Sequence, residues 1–159
     1  MAALRIGTGF DAHALEAGVP LVLGGVAIDH PTGLAGHSDG DVLAHALIDA
    51  LLGAAGLGDI GVHFPDSDER YKDADSIELL RATVAIVRGA GYTVVHVDVT
   101  VALEAPKLGA ARERIRGRLA QALGVGATAV NVKATTGEAI GFVGRGEGVA
   151  ALAIATLDG

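Results

Sequence analysis

Residues able to do chemistry gather in one stretch and one short outlier. Residues 36–49 read Gly-His-Ser-Asp-Gly-Asp-Val-Leu-Ala-His-Ala-Leu-Ile-Asp, and Asp11-Ala-His13 stands near the start. On a helix, Asp41, His45 and Asp49 recur every four residues and share one stripe. Asp11 and His13, two apart on a strand, project to the same side. The chain has no cysteine, so thiolate chemistry is excluded and any metal must be held by His, Asp and Glu. Asp11, His13 and His45 make an N2O set, the layout of a catalytic zinc with one open position. Asp49, one turn beyond His45, is placed to accept from a ligand histidine and fix its tautomer. Taken singly, each has a plainer reading as a surface pair or a satisfied histidine; the grouping favours the metal.

A second cluster lies far along the chain at Thr135-Thr136-Gly137-Glu138. Two hydroxyls, a backbone N–H and a carboxylate able to hold Mg2+ suit a diphosphate, although Thr-Thr-Gly at a strand end is also ordinary turn chemistry. His63-Phe64-Pro65-Asp66-Ser67-Asp68-Glu69 reads as a solvated acidic loop, and Arg112, Arg116 and Arg118 as a solvated helix face.

Positioning these groups requires strands at about residues 4–13, 20–28, 92–104, 129–136 and 147–157, and helices at about 41–54, 76–89 and 108–123. Residues 29–36 read as a loop. Ser38 or Asp39 is the expected N-cap of the first helix. Asp75-Ser76-Ile77-Glu78 has the form of a capping box opening a helix that looks purely structural. Alternation puts Val95, Val97, Val99 and Val101 on one strand face, with Val94, His96, Asp98 and Thr100 on the other. The last strand is apolar on both faces, as a central strand or one at a subunit interface would be. The expected class is α+β: a two-layer sandwich of a mixed four- to five-stranded β-sheet with about three helices on one face.

With 159 residues the chain is expected to form one domain, 1–159. A net charge of −7, from 12 Lys and Arg against 19 Asp and Glu, argues against a nucleic-acid surface. Small phosphorylated ligands remain open, because helix N-termini and backbone N–H groups can hold them locally. Neither a signal peptide nor an apolar run of membrane-spanning length is evident, so a cytoplasmic location and no membrane partner are expected. Half the residues are hydrophobic and 24 more are glycine, an excess that points to a covered subunit interface.

From residue 5 to 157 the sequence resembles the 2-C-methyl-D-erythritol 2,4-cyclodiphosphate synthase family of the non-mevalonate isoprenoid pathway. The resemblance rests on Gly9-Phe10-Asp11-x-His13, His37-Ser38-Asp39-Gly40-Asp41 through Leu51-Leu52-Gly53, and Leu57-Gly58-Asp59-Ile60-Gly61 with Phe64-Pro65-Asp66-Ser67-Asp68. It continues in Ala105-Pro106-Lys107, Val130 through Thr136-x-Glu138, Gly141-Phe142 and Gly144-Arg145-Gly146-Glu147-Gly148. The resemblance implies that the 2-phosphate of a cytidine diphosphate-linked substrate attacks the β-phosphorus, closing a ring and releasing CMP. By position, Asp11, His13 and His45 would hold Zn2+, and Glu138 would help hold Mg2+ or Mn2+. His37 and Thr136 would stabilise the transition state, with Ser38 beside them.

Asp59, Ile60, Gly61, Phe64, Pro65, Asp66, Ser67 and Asp68 would hold the methylerythritol portion. Leu103, Ala105, Pro106, Lys107, Leu108 and Gly109, with Thr135, would form the cytidine pocket. Asp41 becomes a cap or outer support, Asp49 an outer support, and Phe142 and Arg145 match substrate and cavity contacts. The family forms a homotrimer whose sheets face a central cavity, with active sites between subunits. Gly137 departs from a common Thr, which removes one hydroxyl, and His63 has no role to transfer. The competing readings are a metal-dependent nucleoside-diphosphate phosphohydrolase and a non-catalytic nucleotide-binding trimer.

Overall fold

A computed structural model describes residues 3–159. In chain order the elements are β1 (Arg5–Ala17), β2 (Leu21–Leu23), β3 (Val26–Ile28), β4 (Thr32–Leu34), α1 (Val42–Ala55), α2 (Ile60–His63), α3 (Ser76–Gly89), β5 (Thr93–Ala102), α4 (Ala111–Leu123), β6 (Val130–Thr135), α5 (Gly141–Gly144) and β7 (Gly148–Asp158). Single 3-10 turns occupy Glu69–Tyr71 and Ala127–Ala129. One mixed sheet runs β4-β1-β7-β5-β6, with only β5 and β6 parallel. The α+β class, the mixed five-stranded sheet and the three long helices stand as expected.

The centre of the molecule is α1 lying on β1 and β7. Ala, Leu, Ile and Val bury nearly its whole circumference, as expected of a helix with a sheet beneath it and α3 against it. Gly7 and Gly9 allow the contact. A Cβ on Gly7 would lie 2.1 Å from the Ala50 carbonyl oxygen, and one on Gly9 would lie 1.9 Å from that of Ala46. The strand offers bare backbone where the helix backbone arrives. Beyond Gly9 the same face presents Asp11 and His13.

Several expected boundaries move. Residues 20–28 are not one strand: β2 and β3 form a separate hairpin, turning at Gly24 and Gly25 with φ of +56° and +73°. Two successive positive φ values suit the tight hairpin turn whose twist matches its strands. The expected loop 29–36 contains β4, which pairs as an edge with the end of β1. β1 itself runs on to Ala17, and α4 begins at Ala111 rather than 108, after Gly109 with φ of +48°.

In β5 the register slips between Val94 and His96. This bulge adds one residue and reverses the alternation upstream. Val94 is therefore buried with Val97, Val99 and Val101, and Val95 is exposed. The capping box is half made: the Asp75 carboxylate accepts from Ile77 N–H at 2.9 Å, while Glu78 pairs with Arg81.

β7 is central, flanked by β1 and β5. Its Val149, Ala151, Ala153, Ala155 and Leu157 are buried, whereas Leu152 and Ile154 are exposed on the opposite face. Phe10 lies opposite Leu152 across the β1–β7 ladder, and Ile6 is exposed on β1 as well. One face of the sheet is covered by helices; the other presents an apolar stripe. Apolar stripes of this kind mark interaction surfaces.

The α1–β1 contact sets a clear expectation. Gly9→Ala must push α1 away from β1, so it should lower stability by about 1–3 kcal/mol, read as a shift in the midpoint of urea unfolding; an unchanged midpoint contradicts the close-approach role.

Candidate functional site

Three donor atoms converge where the end of β1 meets α1. His13 Nε2 lies 3.0 Å from Asp11 Oδ2 and 3.3 Å from His45 Nδ1, and His45 Nδ1 lies 3.1 Å from the same Asp11 oxygen. Tetrahedral zinc, with ligands at about 2.0–2.2 Å, separates its ligand atoms by a little over 3 Å. The triangle fits such an ion. His13 Nδ1 lies 2.9 Å from the Ala35 carbonyl oxygen, to which it donates, leaving Nε2 free to bind. Two imidazoles and one carboxylate favour a transition metal or zinc over Mg2+ or Ca2+, which prefer oxygen donors. Among the described residues this is the one group of three or more His, Asp or Glu whose donor atoms meet in this way.

Electrostatics at the triangle follow from burial and pairing. Burial pushes the Asp11 carboxyl up, but hydrogen bonds and charge from His13 and His45 outweigh it and bring it to about 2. His13 is raised above its ordinary value, chiefly by its hydrogen bond to Asp11, against burial.

The triangle forms part of the wall of a cavity of about 310 Å3. His37, Ser38, Ile60, Gly61, Phe64, Pro65 and Asp66 also line it, as the sequence led us to expect, and Tyr71 and Leu79 join them without any sequence signal of a site. His37 Nε2 is buried there without a hydrogen-bond partner. Leaving such a group unpaired costs about 1–3 kcal/mol.

The other residues expected on this side do not line the cavity. The Asp59 carboxylate accepts from Val62 N–H at 3.1 Å and caps α2. Asp68 is paired with Arg70, and Ser67, just before it, is exposed. Asp49 does not support a histidine: its Oδ1 accepts from Ile60 N–H at 2.8 Å, fixing the cavity loop to α1. His63 donates from Nε2 to the Leu57 carbonyl at 2.8 Å, which ties the two ends of that loop.

Asp41, not Ser38 or Asp39, caps α1. It is fully buried; its Oδ1 accepts from Ala44 N–H at 3.1 Å and Gly24 N–H at 2.9 Å, and its Oδ2 from Gly25 N–H at 2.7 Å. One carboxylate thus joins the helix start to the β2–β3 turn. Burial pushes it up to about 6 against the pull of those three N–H groups, with the Asp39 charge adding to the rise.

A second cavity of about 320 Å3 lies at the far side of the sheet. Leu103, Pro106, Lys107, Leu108, Gly109, Thr135 and Thr136, all expected in the site, line it; Glu104 and Ala134 join them, and so does Arg112, which the sequence had suggested was only part of a solvated helix face. Ala105 lines neither cavity, although its bond to Pro106 is cis. The register runs Asp11–Ala151–Val101–Ala134 straight across the sheet. The two groups therefore stand at one end of it, three strand spacings or about 14 Å apart.

Gly137 donates its N–H to Glu104, and a Cβ there would lie 2.5 Å from Gly144 N. A threonine side chain has no room in this turn, so the departure at 137 matches the local packing. Glu138, Phe142 and Arg145 line neither cavity. The Glu138 carboxylate accepts from the Thr136 hydroxyl at 3.2 Å, Phe142 is exposed, and Arg145 pairs with Glu147 at 2.6 Å.

Residues 4–158 match the YgbB family. A 2-C-methyl-D-erythritol 2,4-cyclodiphosphate synthase from Salinibacter ruber is 58% identical over 154 residues, spanning 97% of this chain and 98% of its own. A solved 2C-methyl-D-erythritol-2,4-cyclodiphosphate synthase with CDP bound superposes with a TM-score of 0.90 at 38% identity, covering 97% of this chain and all of its own. The bifunctional IspDF from Campylobacter jejuni superposes at 0.95 with 44% identity, covering 99% of this chain and 43% of its own.

Asp41 gives a pH prediction with a definite sign. The folded carboxyl sits near 6, above its ordinary 3.8, so the folded chain holds this proton more tightly than the unfolded one. Its contribution to stability is full below pH 3.8 and is lost as pH rises to 6. Asp41→Asn removes that dependence and places an amide N–H against Gly25 N–H. Denaturant unfolding should show the variant less stable by about 1–3 kcal/mol, with the gap to the native chain widest near pH 4 and narrowing towards pH 6. A gap that widens with pH contradicts the assignment.

Proposed function

The chain belongs to the YgbB family, and on that premise we infer that it makes 2-C-methyl-D-erythritol 2,4-cyclodiphosphate, releasing CMP from 4-diphosphocytidyl-2-C-methyl-D-erythritol 2-phosphate. It is a lyase acting on a phosphorus–oxygen bond in isoprenoid biosynthesis. The observation that carries this reading is near-full-length identity to synthases, combined with a metal-ligating triangle on the wall of a cavity that leaves a buried His37 nitrogen unpaired.

The reaction forms a bond between a 2-phosphate oxygen and the β-phosphorus. It breaks the bond from that phosphorus to the oxygen shared with the α-phosphate, and the electron pair leaves on CMP. No protein nucleophile is consumed. The protein must instead bring two mutually repelling anions together, in line, and hold them there. We assign Asp11, His13 and His45 to Zn2+, and Glu138 to Mg2+ or Mn2+. When bound, these ions supply positive charge opposite the reacting phosphates.

The chain's own groups do the rest. His37 and Ser38, which line the first cavity, hold the phosphate that enters it. Ile60, Gly61, Phe64, Pro65 and Asp66 enclose the methylerythritol portion, and Asp59, Ser67 and Asp68 shape that loop. Asp49 contributes by anchoring Ile60. Leu103, Pro106, Lys107, Leu108, Gly109 and Thr135 take the cytidine, with Ala105 in the same segment. Thr136 stabilises the transition state, and Gly137, whose N–H is held by Glu104, lets the turn beside it close.

We also propose that the functional unit is a homotrimer in which the apolar stripe of Ile6, Phe10, Leu152 and Ile154 faces a central cavity, near Phe142 and Arg145. Within one chain the two cavities share no lining residue, which favours sites completed between neighbours. The proposed unit is a single synthase domain of residues 1–159 in the cytoplasm; among the described residues no helix is long and apolar enough to cross a membrane.

Two measurements test these readings. Incubation with the cytidyl substrate and Mg2+, followed by 31P NMR, should show a cyclic diphosphate and an equal amount of CMP. Linear phosphates indicate hydrolysis, and an unchanged spectrum indicates a binder. Sedimentation equilibrium should return three times the 15.9 kDa of one chain, and Phe10→Glu on the open face should shift the mass towards a single chain; a monomeric native protein overturns the trimer.

A further inference from the structure

Ser76 is one of three polar residues fully buried among the described residues. Although it opens α3, it does not cap it, since Asp75 performs that task. Its hydroxyl is therefore free for another partner. Ser76 Oγ lies 2.8 Å from His45 Nε2 and also donates to Asp39 Oδ1, while Ser76 N–H donates to Asp39 Oδ2 at 3.0 Å. The Asp39 carboxylate is further fixed by accepting from Asp41 N–H at 3.1 Å.

Counting protons settles the direction of this chain of bonds. A serine hydroxyl has one proton. With that proton given to Asp39, Ser76 Oγ can only accept from His45, so the His45 proton is held on Nε2 and Nδ1 faces Asp11 and His13. Ser38 Oγ lies 3.0 Å from the same His45 nitrogen, but it lines the cavity and can turn to a ligand without leaving His45 unpartnered. The backbone supports the same geometry: Asp39 N–H donates to the Ala74 carbonyl at 3.3 Å and Asp73 N–H to the His37 carbonyl at 2.9 Å. These bonds stitch the loop before α1 to the segment before α3.

We infer that Ser76, backed by Asp39, is a positioning residue that fixes the tautomer and ring orientation in which His45 presents Nδ1 to the metal. The inference rests on the metal assignment above. Ser76 touches neither the cavity nor a ligand; it acts only through His45. It also gives α3, which by its sequence looked like scaffold alone, a direct part in the site.

The test is zinc binding to the metal-free protein, measured by competition with a chromophoric chelator. Relative to the native chain, Ser76→Ala should bind zinc 10–100-fold more weakly while keeping its far-UV circular dichroism, the range found when an outer partner of a ligand histidine is removed. Ser76→Thr, which keeps the hydroxyl, should bind more tightly than Ser76→Ala. Asp39→Asn keeps the volume and puts an amide donor against a Ser76 donor, so it should weaken zinc as well; it serves as the test if Ser76→Ala does not fold. In 1H–15N spectra of the zinc-loaded protein, the slowly exchanging His45 Nε2–H signal should be present in the native chain and lost in Ser76→Ala. Zinc affinity within twofold of native in the folded variants overturns the inference. If the native chain binds zinc no better than His45→Ala, the metal assignment itself falls, and this inference with it.

Discussion

Everything at the triangle depends on two glycines. Because Gly7 and Gly9 present no side chain, the carbonyls of Ala46 and Ala50 sit where Cβ atoms would otherwise be, and α1 settles onto the strand backbone. Ala46 then stands over Gly9, and its neighbour His45 reaches residues two and four further along the same strand face. With a larger residue at 9 the helix would rise by a fraction of a side chain. Donor atoms held 3.0–3.3 Å apart could not then remain in register, since a metal tolerates only about 0.2 Å of error per ligand.

Burial makes each carboxylate near this contact choose between a cation and a proton. Asp11 is flanked by two imidazoles and is held ionised, which suits a ligand. Asp41, deeper and facing only backbone N–H groups, is driven towards the neutral acid. Two carboxylates near the same helix–strand contact thus acquire opposite duties from their neighbours. The sequence cannot distinguish them by type. What separates them is that Asp11 ends up beside His13 and His45, while Asp41 ends up beneath the Gly24–Gly25 turn, a contact 16 and 17 residues away in the chain.

That contrast indicates which features were legible before folding. Period-two and period-four spacing pointed to the residues that meet in the triangle, because such spacing is a local property of strand and helix. The core stripe of α3, with Ile77, Leu80, Val84 and Val87 buried, was readable for the same reason. Hidden features were those created by contacts between distant segments. The bulge at Val95 is invisible in a run of valines, since one extra residue changes the faces without changing the composition. Asp49 has the spacing of a histidine support, yet α2 folds back so that Ile60 N–H reaches it first. Ser76 looked like part of a cap because serine at a helix start usually is; only the approach of α3 to α1 reveals the other use of its hydroxyl.

The sheet links the two cavities and also separates them. Asp11 and Ala134 occupy one row of the ladder, so a ligand joining the cavities must run along the sheet end for about three strand spacings. A nucleoside diphosphate carrying a branched sugar alcohol is long enough to do so. A flat strand end, however, gives such a ligand walls on one side only, and burying 70% or more of its surface is the usual requirement of a specific site. The same chain leaves Phe10, Leu152 and Ile154 exposed beside that end, where water gains nothing by contacting them. In the homotrimer proposed above, both deficits, the missing wall and the uncovered stripe, would have one physical remedy: a neighbouring copy beside the open sheet end would supply a wall to the ligand while the assembly shields the stripe from water.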